Sequence, residues 1–563
     1  MADRILKLNG SADPGVMICQ TFGMLSPISR RMFLALGAGV VVTACSSDSS
    51  GSSSTDTPDT GVSDPSTPDT SAATTAAPTT TPPAIELPSN PFTLGVASGD
   101  PTETAVILWT RLALDPLVGG GMPDDDVDVT WEVSTTDDFS DVVASGTATA
   151  TARHGHSVHV DADLSAAGGR EFHYRFRVGD HTSPTGRTLL APAAGSTEPA
   201  RVATASCQNW TDGYYTAYDD LVAERPDLLI FLGDYIYEGA EGDLTAGDAR
   251  LHNSAEIVDL VGYRNRYALY RTDPSLLAAH AVCPWVVTWD DHEVENNYAN
   301  LMPEKEEEAG SFEARRAAAY QAWWEHMPVR LDPPVDSGLT IYRRLSWGSL
   351  LNVLVLDGRQ YRDDQACLDL TLSLDPACAD ASEPGRTMLG REQEEWLATN
   401  VASDAVWSVL AQQTVMSDIR IGPAVLNYDQ WDGYSPARDR VLQSVVDSGA
   451  SNLVVLTGDI HLAGVGQLTI DDDDGPAVGV EFVTTSITSN GGVPDSLQPL
   501  VVGLDNIIDA EVAHRGYTLH LISADEWVAD YRIVDDVKVE GGTVSTWKRF
   551  VVRAGSPNVV EST

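Results

Sequence analysis

The sequence predicts an α/β protein: a large layered domain of alternating strands and helices, preceded by a small β-sandwich. Three observations carry that prediction. Apolar runs of strand length recur through residues 199–555 and stop abruptly at polar residues, as in Leu228-Leu229-Ile230-Phe231-Leu232 before Gly233-Asp234-Tyr235-Ile236-Tyr237-Glu238. Stretches of helical pattern separate those runs. Ahead of them, residues 91–195 hold shorter alternating runs divided by Gly- and Asp-containing turns.

The chain has 563 residues, room for two or more domains, and 42% apolar residues, enough for sizeable cores. Asp and Glu number 82 against 35 Lys and Arg, a formal net charge of −47. That charge repels nucleic acid and anionic headgroups and attracts cations, so nucleic-acid binding is excluded. An enzyme acting on phosphate esters would need concentrated positive charge, such as metal ions. The same acidity also suits plain solubility in a salty medium.

Taken in order, residues 1–45 read as an export signal. Ser29-Arg30-Arg31-Met32-Phe33-Leu34 precedes a short apolar run, a twin-arginine (Tat) pattern. The run at 35–42 is too short for a permanent membrane span. Val42-Thr43-Ala44-Cys45 resembles a lipobox, with Cys45 as a lipid-bearing mature N-terminus; cleavage nearby without a lipid is the alternative. Residues before Ser29 read as an extended leader or a misassigned start, with Met24 as another start. The expected location is the outer face of the cytoplasmic membrane as a lipoprotein, or secretion. Residues 46–90 are almost all Ser, Thr, Asp, Pro, Gly and Ala, too few apolar groups to offset ordering entropy, and read as a disordered tether.

In the sandwich, strands are expected at 105–110, 127–133, 157–160 and 172–178. His154, His156 and His159 fall among them and read as solvated strand histidines rather than a metal site. In the large domain, strands are expected at 201–205, 228–232, 283–289, 350–356, 453–457 and 481–486. Helices are expected at 214–224, 254–269, 311–327, 390–400 and 437–448. A continuous apolar run fits a strand buried on both faces, although periodicity alone does not exclude a buried helix.

Ligand sites in helix-flanked sheets lie beyond the carboxyl ends of strands. The ends here carry Cys207, Asp234, Tyr237, Asp291, His292, Asp459 and His461. Unpaired buried carboxylates are costly, so such a convergence calls for cations. Carboxylates with a phenolate suit iron, and carboxylates alone suit calcium, magnesium or manganese. Asp234-x-x-Tyr237 puts two ligating groups on one turn past a strand, and Asp459-x-His461 puts two on one strand face. A strand followed by a capping Asp is the plainer alternative for Asp234. No nucleophile elbow, phosphate loop or Cys-x-x-Cys pair appears elsewhere.

The blocks Asp234-x-x-Tyr237, Asp291-His292-Glu293 and Gly458-Asp459-x-His461 resemble the signature of calcineurin-like metallophosphoesterases. Phe92-Thr93-Leu94-Gly95-Val96-Ala97-Ser98-Gly99-Asp100-Pro101, Leu108-Trp109-Thr110-Arg111, Ser206-Cys207-Gln208 and Trp289-Asp290-Asp291-His292-Glu293 are similar to the PhoD-like alkaline phosphatases, a group that also contains calcium-dependent phospholipases D. The resemblance runs from about Phe92 to the C-terminal region. It implies a four-layer α/β/β/α phosphoesterase domain after an Ig- or fibronectin-like sandwich, and an iron(III) site joined by calcium, with manganese or zinc as other occupants. It implies that Cys207, Asp234, Tyr237 and His461 hold the iron. Asp234 would bridge to calcium, with Asp291 and Asp459 as further ligands and Asn297 and Asp290 as weaker candidates. Simpler relatives carry Asn where this chain has Asp291. His292 would be a ligand or a partner for a phosphate oxygen. Arg359, after another strand, could fork onto phosphate or bridge to Asp357 or Asp363.

The expected activity is hydrolysis of phosphomonoesters and phosphodiesters by a metal-activated water. Expected substrates are small phosphate esters, including nucleotides, teichoic-acid-like polymers or phospholipids. The alternatives are a phospholipase D and a non-catalytic calcium-binding surface lipoprotein. Cys367 and Cys378 could bridge a short polar loop in an oxidising compartment, and Cys283 reads as a buried free thiol. His514 and His520 read as core or surface residues, and the acidic run at 471–474 as a solvated turn.

Overall fold

The structure is a computed structural model that describes residues 87–252, 254–304, 309–367, 379–421, 424–470, 475–491 and 493–562. The leader with Arg30, Arg31 and Cys45, the tether up to residue 86, Cys378 and the run at 471–474 lie outside the described residues. Among the described residues no helix is long and apolar enough to cross a membrane.

The sandwich comprises β1 (Val96–Gly99), β2 (Ala105–Arg111), β3 (Val127–Ser134), β4 (Val142–Ala150), β5 (Ser157–Asp163), β6 (Glu171–Val178), β7 (His181–Thr182) and β8 (Gly186–Leu189). One sheet runs β4-β3-β6-β7 with β8 on β6, and β1-β2-β5 face it. Side chains alternate cleanly: Phe172, Tyr174, Phe176 and Val178 of β6 are buried, the intervening ones are not. They meet Val106, Leu108, Val129 and Val133 in a single core.

The large domain continues with β9 (Ala200–Ala205), α1 (Thr216–Glu224), β10 (Leu228–Leu232), α2 (Leu260–Tyr270), α3 (Pro274–Val282), β11 (Trp285–Thr288), α4 (Ala309–His326), β12 (Arg343–Trp347) and β13 (Leu351–Val355). Then come α5 (Arg391–Asn400), β14 (Trp407–Ala411), α6 (Ser435–Ser448), β15 (Leu453–Thr457), β16 (Ala463–Thr469), β17 (Ala477–Val483) and α7 (Gln498–Val501). The chain closes with β18 (Ile507–Glu511), β19 (Arg515–Ile522), β20 (Glu526–Val534), β21 (Val544–Arg553) and β22 (Val559–Ser562). Two sheets result, ordered β22-β21-β20-β19-β9-β10-β11-β1-β2-β5 and β12-β13-β14-β15-β17-β16-β18. Their centres, β9-β10-β11 and β13-β14-β15-β17, are parallel.

The strand pleat explains the continuous apolar runs. Leu228, Ile230 and Leu232 of β10 pack with Val353, Val355, Val454 and Leu456 in a core shared by the two sheets. Leu229 and Phe231 point the other way, among Tyr218, Tyr267 and Trp323 from α1, α2 and α4. Leu453 and Val455 of β15 meet Leu397, Val441 and Leu442 of α5 and α6. These are four layers, α/β/β/α. Each fully buried aliphatic side chain contributes about 1.5–3 kcal/mol, which both faces of these strands collect.

The sandwich and the large domain share a sheet, because β1 joins β11 in parallel at Gly99↔Trp285 and so extends the ten-stranded sheet. Gly99 permits that approach: a Cβ there would lie 2.6 Å from the Trp285 carbonyl and 2.1 Å from that of Pro328. The sandwich histidines correct the sequence expectation: His154 and His159 are half-buried, packed on Trp324 of α4 at ring-centroid distances of 5.1 and 4.3 Å, and His156 is buried. The sequence also signals the start of α3. Asp273 accepts from the Ser275 and Leu276 amides at 2.9 and 3.2 Å, and Pro274 occupies the first turn.

Candidate metal centre

Four strand ends deliver the site. β9 runs into Ser206-Cys207, β10 into Gly233-Asp234, β11 into Asp290-Asp291-His292-Glu293, and β15 into Gly458-Asp459-Ile460-His461. Cys207, Asp234, Asp459 and His461 take φ values of 55°, 59°, 63° and 56°, the left-handed region that costs a non-glycine residue about 1–2 kcal/mol each. Asp459 and His461 are therefore not on a shared strand face, as the sequence spacing implied. Two left-handed residues past the end of β15 aim them. Gly233 and Gly458 let the turns close in, since a Cβ at Gly233 would lie 2.5 Å from Asp290 Cβ and one at Gly458 2.6 Å from Ser206 Oγ.

Hydrogen bonds hold this strained backbone. Cys207 N–H donates to the Gly233 carbonyl and Gln208 N–H to that of Asp234, both at 3.1 Å. Buried Glu293 accepts from the Asp234, Tyr235 and Asp290 amides at 3.0, 2.6 and 2.8 Å, so one carboxylate fixes two ligand turns.

Potential ligands fall into three overlapping groups, each with donor atoms within 4.8 Å of one another: Cys207, Asp234 and His461; Asp234, Asp291 and His292; Asp290, Asp291 and Asp459. Tyr237 joins the first. Its hydroxyl donates to Asp234 Oδ2 at 2.9 Å and lies 3.1 Å from His461 Nε2. Ser489 Oγ donates to the Tyr237 hydroxyl at 2.7 Å. His461 Nδ1 lies 2.6 Å from the Asn490 carbonyl, which makes Nδ1–H the donor and leaves Nε2 with a lone pair. His292 Nδ1 is likewise 2.7 Å from Glu238 Oε2.

The electrostatics fit bound cations. Burial pushes the Cys207 thiol, the Tyr237 phenol and the Asp234 and Asp290 carboxyls well above their ordinary ranges. Neighbouring acids add to the rise on Cys207 and Tyr237. Burial and Asp429 push Asp459 up to about 7, and burial brings His461 down to about 4. Burial opposes the charged forms of Glu238 and His292 as well, but their mutual attraction prevails, and Glu238 falls to about 2. Asp290 Oδ2 and Asp291 Oδ1 are buried and accept no hydrogen bond. Acceptors stranded in this way suit a hard cation, and the thiol, phenol and imidazole set suits iron.

One expected role changes. Arg359 is fully buried, and its guanidinium is committed to Asp290 and Asp429 rather than open to a phosphate or bridged to Asp357 or Asp363. The backbone N–H of Asn297 donates to Asp291 Oδ2 at 2.6 Å, which places this candidate ligand beside the carboxylate group. Asp290, a weaker candidate by sequence, is a full member of the carboxylate group. Glu238 and Glu293 have no ligand signal of their own in the sequence, although both stand inside the motif blocks. Asp429 and Gln430 lie in an irregular stretch with no pattern to signal them. A cavity of about 570 Å³ lies elsewhere, lined by Asp100, Arg330 and Arg343 among others. Its Arg330 and Arg343 are already paired with Asp161 and Asp100.

The other cysteines behave as read where they are described. Cys283 is a buried free thiol, and Cys367 is disulfide-bonded, with Cys378 outside the described residues. His520 is core, and His514 pairs with Glu511 nearer the surface.

Comparison with known proteins matches residues 202–531 to the PhoD-like phosphatase pattern and residues 76–192 to the PhoD-like phosphatase N-terminal domain. Alkaline phosphatase D of Bacillus subtilis (strain 168) is 45% identical over 475 residues, 82% of this chain and 81% of that protein. A solved structure of PhoD superposes with a TM-score of 0.81 at 44% identity, covering 85% of this chain and 94% of the other.

Proposed function

The chain belongs to the PhoD-like phosphatase family and is a metal-dependent phosphoesterase, and on that premise we propose that it hydrolyses phosphomonoesters and phosphodiesters at a mixed iron–calcium centre. The observation that supports this reading most is the division of donors: thiol, phenol and imidazole around Asp234 on one side, carboxylates alone on the other. Cys207, Asp234, Tyr237 and His461 would hold iron(III). Asp234 would bridge to calcium, with Asp291, Asp459 and Asp290 completing its oxygen set. When bound, the metals supply Lewis acidity toward the phosphoryl oxygens and a water that ionises near neutral pH.

The remaining work falls to the chain itself. Glu238 holds His292 by Nδ1 and so fixes its ring, which leaves Nε2 as the ring atom available to a metal or to a phosphoryl oxygen. Glu293 fixes the turns that carry Asp234 and Asp290. Ser489 steadies the Tyr237 hydroxyl.

One feature favours a second reading, a calcium-dependent phospholipase D. Ile460, between Asp459 and His461, packs with Val493 and Val501 on an apolar group of Leu462, Val483, Ala510 and Val512, an apolar flank beside the ligands. The proposal also includes Tat export and acylation at Cys45, supported by Arg30-Arg31 and Val42-Thr43-Ala44-Cys45.

The test compares rates on an aryl phosphomonoester, a bis-aryl phosphodiester and phosphatidylcholine above neutral pH, before and after chelation. Hydrolysis of both aryl esters, lost on chelation and restored by iron with calcium, is the expected result. Turnover of the lipid alone would favour the phospholipase reading. No turnover on any of them would overturn the proposal.

A further inference from the structure

Arg359 follows β13 in the turn Leu356-Asp357-Gly358-Arg359, and its side chain is wholly enclosed. Nε donates to Asp290 Oδ1, and Nη1 and Nη2 donate to the two oxygens of Asp429 at 2.9 and 2.8 Å. Nη2 also lies 3.6 Å from Asp291 Oδ1 and 3.7 Å from Asp459 Oδ1, too far for hydrogen bonds but close for charges. Asp429 is braced by Arg362 and by Gln365 Nε2, and Gln430 beside it donates to Asp459 Oδ2. The Arg359 backbone is pinned as well: its N–H donates to Asp357 Oδ1 at 3.1 Å and its carbonyl accepts from Asn300 N–H at 3.0 Å.

This fixed guanidinium touches or faces all three acids of the carboxylate group, yet leaves Asp290 Oδ2 and Asp291 Oδ1 without a hydrogen-bond partner. The charges are informative. With a cation bound, Asp290, Asp291, Asp459 and Asp429 carry four negative charges and Arg359 and Arg362 carry two positive ones, so two remain uncompensated here, Asp234 being counted with Cys207 and Tyr237 on the iron side. Two is the charge of one divalent cation.

Resting on the metal-dependent reading above, we infer that Arg359, anchored by Asp429, is a positioning residue for the cation held by Asp290, Asp291 and Asp459, and that its charge sets this site's preference for a divalent over a trivalent ion. The guanidinium holds Asp290 by one oxygen and leaves the other free for a cation. Standing 3.6 and 3.7 Å from Asp291 and Asp459, it would penalise each added positive charge on an ion that those acids hold.

The test titrates terbium(III) and calcium into the full-length, iron-containing protein and compares the ratio of their affinities across variants. Arg359→Gln leaves three uncompensated negative charges, and the terbium-to-calcium ratio should rise about tenfold or more. Asp429→Asn leaves one, and the ratio should fall by a similar factor. Arg359→Lys keeps the charge and should keep the ratio close to that of the unaltered protein, while losing the fork on Asp429. Opposite shifts in the first two variants are beyond a merely structural loss. If Arg359→Gln does not fold, the fall in Asp429→Asn still decides the matter. An unchanged ratio in a folded Arg359→Gln or Asp429→Asn protein would reduce Arg359 to a buried brace and overturn the inference. Failure of the unaltered protein to bind either ion would overturn the metal-dependent reading itself, and this inference with it.

Discussion

Glu293 shows how a residue can govern a metal centre without touching a metal. Its carboxylate, 1% exposed, gathers three backbone amides from the turns that carry Asp234 and Asp290. Burial raises its pKa to about 7, against the pull of those amides. Glu293→Gln keeps the shape but turns an NH2 group toward amides that need an acceptor. It should cost about 2–4 kcal/mol of stability and lower kcat far more than it raises KM, because the ligand turns lose their mutual register. Thermal melting beside steady-state kinetics checks this, and an unchanged melt would show that the amides do not depend on the charge. Asp234, Asp459 and His461 were legible in the sequence because each closes an apolar run. The left-handed backbone that aims them was not, since φ above zero on Asp or His leaves no mark in composition. Asp429 acquires its meaning only when β13 and a distant irregular segment meet in space.

The strands divide by how much of each is buried. β9, β10, β11, β13 and β15 were legible because both faces are covered, which forces an unbroken apolar run. β19 to β22 were not, because antiparallel extensions mix polar residues into their runs, as the half-exposed pattern of β21 shows. β19 still matters, because it seats His520 inside the sheet. Trp527 Nε1–H donates to His520 Nδ1 at 2.9 Å, so the proton sits on Nε2, 3.0 Å from Thr204 Oγ1. That geometry suits the neutral ring, and burial lowers its pKa to about 3. The unfolded chain takes up the proton below about 6.5, whereas the folded chain does not until about 3. Stability should therefore be full above pH 6.5 and fall as the pH drops, by up to about 1.4 kcal/mol per pH unit from this residue. His520→Gln should be less stable at neutral pH and show a shallower acid slope. Denaturant melts between pH 4 and 7 provide the measurement, and parallel slopes would assign the acid sensitivity elsewhere.

At the scale of the whole molecule, a chain of net charge −47 concentrates acids where four strand ends meet, and it leaves two of their oxygens unpartnered in the interior. Cations at that point would resolve the conflict and would draw phosphate esters, themselves anionic, to a place where the acidity is offset. The sandwich shares a sheet with the catalytic layers through Gly99 and Trp285, so the boundary inferred from sequence near residue 195 is a change of pattern rather than a break in hydrogen bonding. The most direct test of the account is metal content and turnover of Cys207→Ala beside its thermal melt, because Cys207 is the donor that an ordinary core would use as mere filler. The variant should fold, keep its calcium, and lose its iron and most of its activity, while Cys207→Asp should retain part of both. Full iron occupancy with near-normal turnover in Cys207→Ala would return Cys207 to the core and contradict the proposed centre.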